Sequence, residues 1–550
     1  MFDLLIKNGK IVDGTGNPWF RGDVAIKDGK IVEVGLIDGS SAQQVIDTKG
    51  LVVAPGFVDI HSHADFILPL DEQVKILEPF VQQGITTLVM GNCGYSPAPI
   101  NPGTLGLLKK YSAFVQGGEL SWEWRDMKGY LNFIEKKGVA YNVLPLAAHG
   151  TIRIYVKGFD SSLATSSEKA EMAKLAREAM EQGAFGLSAG LIYPPGSYSD
   201  TDELIAICKP LKDFGGVFTC HLRGESEVLL SATKEIIKVG EADGIAVEHS
   251  HLETYGKEYW SQRDRLLGLH DEARARGVDI TFDVIPYTAA NTTIMAILPP
   301  WSLEGGVDKL IERLKDKEVR KRINMDVEEA VPGWPPWLPG GWPNSFARSS
   351  GWDGIVIIWV GSKANKHMEG KILSEIAKEA GKTPFDAAAD LIVEEQGQIM
   401  ALYFGFDGDI ETDEGLRKVI AHPRAAINTD AILTGRGVPH PAAYGAFPKV
   451  LGYFSRELGL FSMEEAVRKM TSVSLQRFGV RDRGLIREGC FADITIFNEA
   501  TVGEKGTYFD PAHYPEGIEY VIINGTPVLQ DGVYNGKLCG HVLRKQGRRG

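Results

Sequence analysis

The feature that most constrains this fold lies in the middle of the chain, where eight short apolar strands alternate with helical patterns. The strands read as Val58 to His63, Thr87 to Cys93, Asn142 to His149, Ala184 to Leu191, Val217 to Arg223, Ala246 to Leu252, Ile280 to Tyr287 and Ala425 to Asp430. Near-continuous apolar runs of this kind suit strands buried on both faces. Among the helices, Thr165-Ser166-Ser167-Glu168 is a capping box. Met172, Leu175, Ala176 and Ala179 share one face of that helix, and Gly183 stops it. Such alternation predicts an α/β protein, a (β/α)8 TIM-like barrel with its functional groups at the C-terminal strand ends. A doubly wound open sheet is the alternative.

The two ends of the chain have a different texture. Residues 1–56 contain strand-like runs at Leu4 to Lys7, Asp23 to Ile26 and Ile31 to Val34; residues 484–550 contain them at Ala492 to Phe497 and Tyr520 to Ile523. Together they predict one small β-sandwich domain, since chain ends commonly lie close together. Residues 57–483 would form the barrel. The stretch from Tyr287 to Ala425 is too long for a barrel loop, so an insertion is expected around 289–353. Its Pro- and Trp-rich part, Val331 to Pro339, reads either as a lid or as a surface excursion.

Composition excludes several classes. With 43% hydrophobic and 24% charged residues, the chain of 550 is an ordinary globular protein. A formal charge of −13 argues against nucleic acid and against an anionic membrane surface. The basic end, Arg544-Lys545 with Arg548-Arg549, reads as a solvated tail. Five cysteines, an odd and scattered number, suggest no disulfide framework. No secretory pattern opens the sequence and no apolar run suits a membrane span, so a cytoplasmic protein is expected. Its partner would be a small-molecule substrate, bound by a monomer or a homo-oligomer.

Chemistry-bearing residues gather at the predicted strand ends. His61 and His63 are two apart on a strand, so both imidazoles face one side. The second strand ends in Gly91-Asn92-Cys93-Gly94, the fifth in Cys220-His221, the sixth in His249-Ser250-His251 and the eighth in Asn428-Thr429-Asp430. Imidazoles, a thiolate and a carboxylate suit zinc or a similar borderline metal. Cys220 and His221 are adjacent, so only one faces inward, and His221 is the better candidate. His249 and His251 share a face; His251, nearer the end, is the candidate ligand and His249 a packing residue. Asp59 and Asp65 could orient an imidazole. Asp430 would take a proton from metal-activated water and return it to a leaving nitrogen. The bland readings are a buried hydrogen-bonded histidine, a small apolar cysteine and a capping aspartate.

These residues, with Leu5 to Gly14, Ala54 to His63, Gly91 to Pro97, Leu298-Pro299-Pro300-Trp301 and Gly489 to Ile494, resemble the amidohydrolase superfamily, and within it the N-acyl-D-amino-acid deacylases. The resemblance implies that Cys93, His221 and His251 hold a tightly bound zinc. It further implies a second, weaker metal position at His61 and His63, with Asp430 as acid–base. His149 or Glu253 would be next in line for that role. Two departures concern the substrate. Glu253 stands where the deacylases have a lysine that binds the substrate carboxylate, and Ala442 follows His440-Pro441 where they have an arginine. Arg436 could substitute, and Ile285-Pro286-Tyr287 replaces a Tyr-Pro-Tyr. The residues expected around substrate are thus Tyr287, Glu253, Arg436, His440 and His149. The expected activity is hydrolysis of an amide-type C–N bond in a compound without the usual free carboxylate. The alternatives are a D-aminoacylase with another anchor, a hydrolase of aryl amides, carbamates or ureas, or a non-catalytic assembly protein of the same fold.

Overall fold

A computed structural model describes residues 1–38, 41–338 and 341–547. Its central strands are β1 Phe57–Asp59, β2 Ile85–Met90, β3 Asn142–Pro145, β4 Gly186–Gly190, β5 Val217–His221, β6 Ala246–His249, β7 Ile280–Val284 and β8 Ala425–Ile427. All pair in parallel, and spatial order follows chain order within each of two sheets, one from β1 to β3 and one from Ala147–Ala148 through β4 to β8. Backbone bonds bridge the sheets. Phe185 N–H donates to Pro145 C=O at 2.8 Å, and Asp430 N–H donates to His61 C=O at 3.1 Å, joining the last strand end to the first. Every residue of β2 and β5 is buried, as expected of strands covered on both faces. Val58, Val89, Leu144, Val217 and Ala426 belong to one apolar cluster shared by five of the strands. The helix Ser166–Glu181 carries both halves of the predicted capping box. Among the described residues, no helix is long and apolar enough to cross a membrane.

Both chain ends meet in a nine-stranded sheet. Val52–Pro55 pairs antiparallel with Ile494–Phe497, so the N-terminal strands continue directly into the C-terminal ones. Ile6, Val24, Ile26, Val53, Ile494 and Ile522 share an apolar cluster of their own. The basic end is not a solvated tail as far as it is described. Leu543 N–H donates to Val143 C=O at 2.9 Å, drawing the tail along β3. Lys545 Nζ then donates to Gly215 C=O at 2.9 Å and Phe478 C=O at 2.8 Å, and Arg544 pairs with Glu135 at 2.7 Å. Arg548 and Arg549, like Pro339, lie outside the described residues.

The excursion between β7 and β8 runs well past residue 353. Ala289–Thr293, Ile355–Val360, Lys371–Ile372 and Ile399–Phe404 form a separate antiparallel sheet. The apolar run Ile355–Val360, buried throughout, needs Ile399–Phe404 beside it, and that strand reaches back to Ala289–Thr293. Its Pro- and Trp-rich arm packs on the loop after β5. Trp337 lies 4.7 Å from the buried Arg223 guanidinium, and a Cβ on Gly224 would meet the Pro343 carbonyl oxygen at 2.3 Å.

One buried ion pair ties the end sheet to the tail. Arg483 pairs with Asp493, and its guanidinium also donates to Asn524 Oδ1 at 2.8 Å and to His541 at 3.0 Å. Both charged partners are at most 4% exposed. Removing the cation leaves a carboxylate buried and unpaired, which costs about 3–5 kcal/mol. Arg483→Met is therefore expected to lower the urea midpoint markedly, whereas Asp493→Asn, which keeps an acceptor, should cost less; equal midpoints for wild type and Arg483→Met would refute this.

Candidate metal centre

The C-terminal strand ends bring five donors and one carboxylate to a single point. Cys93 Sγ lies 3.2 Å from His61 Nε2, 3.7 Å from His221 Nδ1 and 3.8 Å from His251 Nε2. Asp430 Oδ1 lies 3.2 Å from Nε2 of both His61 and His63. They fall into two sets that share the thiol, His61/His63/Cys93/Asp430 and Cys93/His221/His251, with donor atoms within 4.8 Å of one another in each. The thiol and the imidazoles are buried, and the Asp430 side chain is 13% exposed.

Three of these residues adopt the left-handed backbone region, with φ of 51° at Cys93, 37° at His251 and 43° at Asp430. Such strain costs roughly 1–3 kcal/mol per non-glycine residue and persists only where the surroundings enforce it. The enforcement is visible. The Cys93 turn lies between Gly91 and Gly94, and Gly94 N–H is held by Ser188 Oγ at 3.1 Å. Gly190 leaves room for this turn, since a Cβ there would sit 2.1 Å from the Cys93 carbonyl oxygen. His251 N–H donates to Asp283 Oδ1 at 2.7 Å. Asp59 accepts from Thr429 N–H at 3.0 Å and from the Thr429 hydroxyl at 2.5 Å, fixing the approach to Asp430.

Burial opposes charge throughout this cluster, and neighbouring charges overcome it. Burial alone would raise the Cys93 thiol, but the His61, His221 and His251 imidazoles hold it well below its usual range. Burial would likewise raise Asp430, and His61 and His63 pull it well below the carboxylate range. The cluster thus favours thiolate and carboxylate, the forms that bind metals or accept protons.

Behind the imidazoles stand further carboxylates. Glu253 Oε1 is 3.2 Å from His251 Nδ1, so it faces a ring nitrogen rather than open space. Glu225, which the sequence reasoning missed, lies 3.7 Å from His221 Nε2 and 3.6 Å from His251 Nδ1. Its position four residues after His221 in a loop carries no strand periodicity; only its charge could have flagged it. Asp283 lies 3.7 Å from His61 Nδ1. Asp59 holds backbone and hydroxyl groups instead of an imidazole, and both Asp65 oxygens lack a hydrogen-bond partner.

Other expected contacts are engaged elsewhere. The Tyr287 hydroxyl donates to Glu504 at 2.5 Å, under the Lys449 ammonium. His440 uses both ring nitrogens, donating to Ala289 C=O at 2.9 Å and accepting from Ala442 N–H at 3.0 Å; burial pushes it down to about 4. Arg436 is exposed, 6.0 Å from the Trp359 ring. His149 is fully buried against Glu203 at 2.8 Å, and Ala442 is fully buried. His249 points to His270, 3.0 Å away, consistent with a packing role. Beside the cluster a narrow apolar cavity is lined by Tyr95, Tyr111, Phe114, Tyr193, Met295 and Leu298 among others. Tyr95 and Tyr193 form its wall toward His63 and His221.

This geometry has counterparts among known proteins. The amidohydrolase family pattern matches residues 44–331 and 382–529. A D-aminoacylase of Alcaligenes xylosoxydans is 32% identical over 548 residues, covering 99% of this chain and 98% of that protein. A solved D-aminoacylase with a binuclear metal centre superposes with a TM-score of 0.81 at 30% identity, covering 99% of this chain and 100% of the other. A solved N-acyl-D-glutamate deacylase of Bordetella bronchiseptica, in complex with zinc and a phosphonate inhibitor, also gives 0.81, at 27% identity and 99% coverage of each chain. The chain thus belongs to the amidohydrolase family, in the branch of the N-acyl-D-amino-acid deacylases.

Proposed function

We propose that this protein hydrolyses the amide bond of a small N-acylated compound at a divalent metal centre, with zinc the metal. The observation that carries the reading is the buried Cys93 thiol within 3.8 Å of three imidazole nitrogens, those of His61, His221 and His251, with Asp430 Oδ1 3.2 Å from Nε2 of both His61 and His63. The donor set fits a borderline divalent ion. Cys93, His221 and His251 would hold it tightly, and His61 and His63 would offer a second, weaker position. The reading sets this centre at the mouth of a (β/α)8 barrel, with a β-sandwich made from residues 1–56 and 484–550. The chain-ordered parallel strands, the Asp430–His61 backbone bond and the nine-stranded end sheet support that architecture.

Held by these residues, a divalent ion would supply Lewis acidity, polarising the acyl carbonyl and lowering the pKa of water toward neutrality. Asp430 is the proton carrier. Its carboxylate accepts a proton as water oxygen bonds to the acyl carbon, and delivers it to nitrogen as the C–N bond breaks. The His61 and His63 imidazoles hold Asp430 ionised and aimed. The aromatic cavity receives an apolar group of the substrate, and its burial excludes bulk water.

Replacing Cys93 with Ala is expected to strip most bound zinc, read by elemental analysis of purified protein. Full zinc occupancy in that variant would remove the thiolate from the ligand set. Asp430→Asn should retain metal and fold while kcat falls by several orders of magnitude; near-normal turnover would place the base elsewhere.

The substrate follows from the charges. Glu253 and Glu225 flank His251, and neither Arg436 nor Ala442 supplies a cation there. Burial pushes Glu253 up to about 7 and Glu225 well above the carboxylate range, so near neutrality the pair carries only part of its negative charge. Two like charges ~4 Å apart repel by about 4 kcal/mol at an effective dielectric near 20. His251 offsets part of this, leaving an expected preference of about tenfold or more in kcat/KM for an ester or amide over the free acid of the same N-acetyl-D-amino acid. Efficient hydrolysis of N-acetyl-D-methionine or N-acetyl-D-glutamate would favour the second reading, a D-aminoacylase anchored by a group that moves on binding.

A further inference from the structure

The opposite end of the parallel strands carries a second concave feature that the hydrolytic reading does not use. An open cleft of about 750 Å³ lies between the N-terminal approaches of β7 and β8 and the helix Ser472–Arg477. Four arginines line it, Arg274, Arg424, Arg468 and Arg477, against two acids, Glu248 and Asp279. In a chain with a net charge of −13, such a local surplus of cations needs a cause.

The pairing within the cleft does not neutralise them. Arg468 is satisfied by Glu465 at 2.6 Å and by Pro423 C=O at 2.9 Å. Arg477 takes Asp279 at 2.8 Å and approaches Glu248 at 3.1 Å. Burial pushes Glu248 up to about 8, so near neutrality it cancels little charge. Arg274 donates to Ile280 C=O at 2.8 Å, stands 3.8 Å from the already paired Asp279, and has a buried Nε without a partner. Among the described residues, the Arg424 guanidinium has no hydrogen bond or ion pair. Burial, followed by repulsion from Arg424, depresses the Arg274 guanidinium itself. Arg424 is therefore unpaired among the described residues, and Arg274 beside it only partly paired, at the wall of one cleft.

We propose that this cleft binds a small doubly charged oxyanion, a phosphate or phosphate ester, between Arg274 and Arg424. A guanidinium presents paired N–H donors matched to such oxyanions, and charge-assisted bonds of this kind are among the strongest available. The anion would relieve the repulsion between the two cations and fill the unpaired Arg274 Nε. Its site lies at the strand ends remote from the donor cluster, so it binds without contact with the hydrolysed bond. Binding there would stabilise the folded chain by linkage.

Titration calorimetry of inorganic phosphate into the metal-loaded protein, with NaCl holding ionic strength constant, tests this. We expect saturable one-to-one binding, weakened at least tenfold in Arg424→Gln and in Arg274→Gln. Arg424→Gln removes no internal contact, so its unfolding temperature without phosphate should equal or exceed that of wild type. That variant therefore carries the test should Arg274→Gln misfold. Absence of saturable binding to wild type overturns the proposal. So does binding of unchanged affinity in Arg424→Gln, which would assign the phosphate to the donor cluster instead.

Discussion

A thiol buried among imidazoles is the constraint around which the rest of the structure is arranged. Neither group can be buried charged alone, because desolvation would neutralise it. Together they hold opposite charges in place, and Asp430 extends the same logic to His61 and His63. The partners come from five different strand ends, with His61 and His63 sharing one. The strands must therefore meet in one order, with their C-terminal ends level, for any of these groups to be tolerated inside. The left-handed turns at Cys93, His251 and Asp430 are the local cost of that convergence, and the glycines and carboxylates around them enforce it.

Much of this was legible in the sequence, for a physical reason. His61-Ser62-His63 was read as a pair facing one way, and both imidazoles do meet Asp430, although β1 ends at Asp59 and the turn after it, not strand periodicity, directs them. The texture of alternating apolar runs and turns disclosed the parallel strands and the joint sheet of the two chain ends. Periodicity fails once a strand ends. β6 stops at His249, and His251 lies beyond it with φ of 37°, so the two histidines point to different neighbours although parity would align them. The same limit hid Glu225, in the loop after β5. Nor does periodicity reach Tyr287, His440 and Arg436, whose directions depend on turns that short motifs do not encode. The excursion sheet was illegible because Ile399–Phe404 lies between two partners, one of which, Ala289–Thr293, precedes it by more than a hundred residues.

The substrate side is shaped by packing as much as by charge. The aromatic walls Tyr95 and Tyr193 touch both the donor imidazoles and the apolar cavity, so any change in cavity shape is felt at the ligands. The excursion arm closes over Gly224, one residue from Glu225, which couples an irregular segment to the carboxylate behind His221 and His251. Loops of this kind vary in composition without disturbing the strands that carry them, and they are where a conserved chemistry acquires a new substrate.

The backbone bond from Asp430 to His61 has a further consequence, for the order in which the protein is made. The histidines after β1 leave the ribosome hundreds of residues before Asp430, and the strand Ile494–Phe497 that pairs with Val52–Pro55 comes later still. An emerging chain therefore presents His61, His63 and Cys93 in a partly built pocket, without the carboxylate and without the sheet that seats the first strand. The donor cluster can in this sense close only late in synthesis. A chain truncated before Asp430, even a long one, carries the thiol and the imidazoles but not the carboxylate that completes their arrangement.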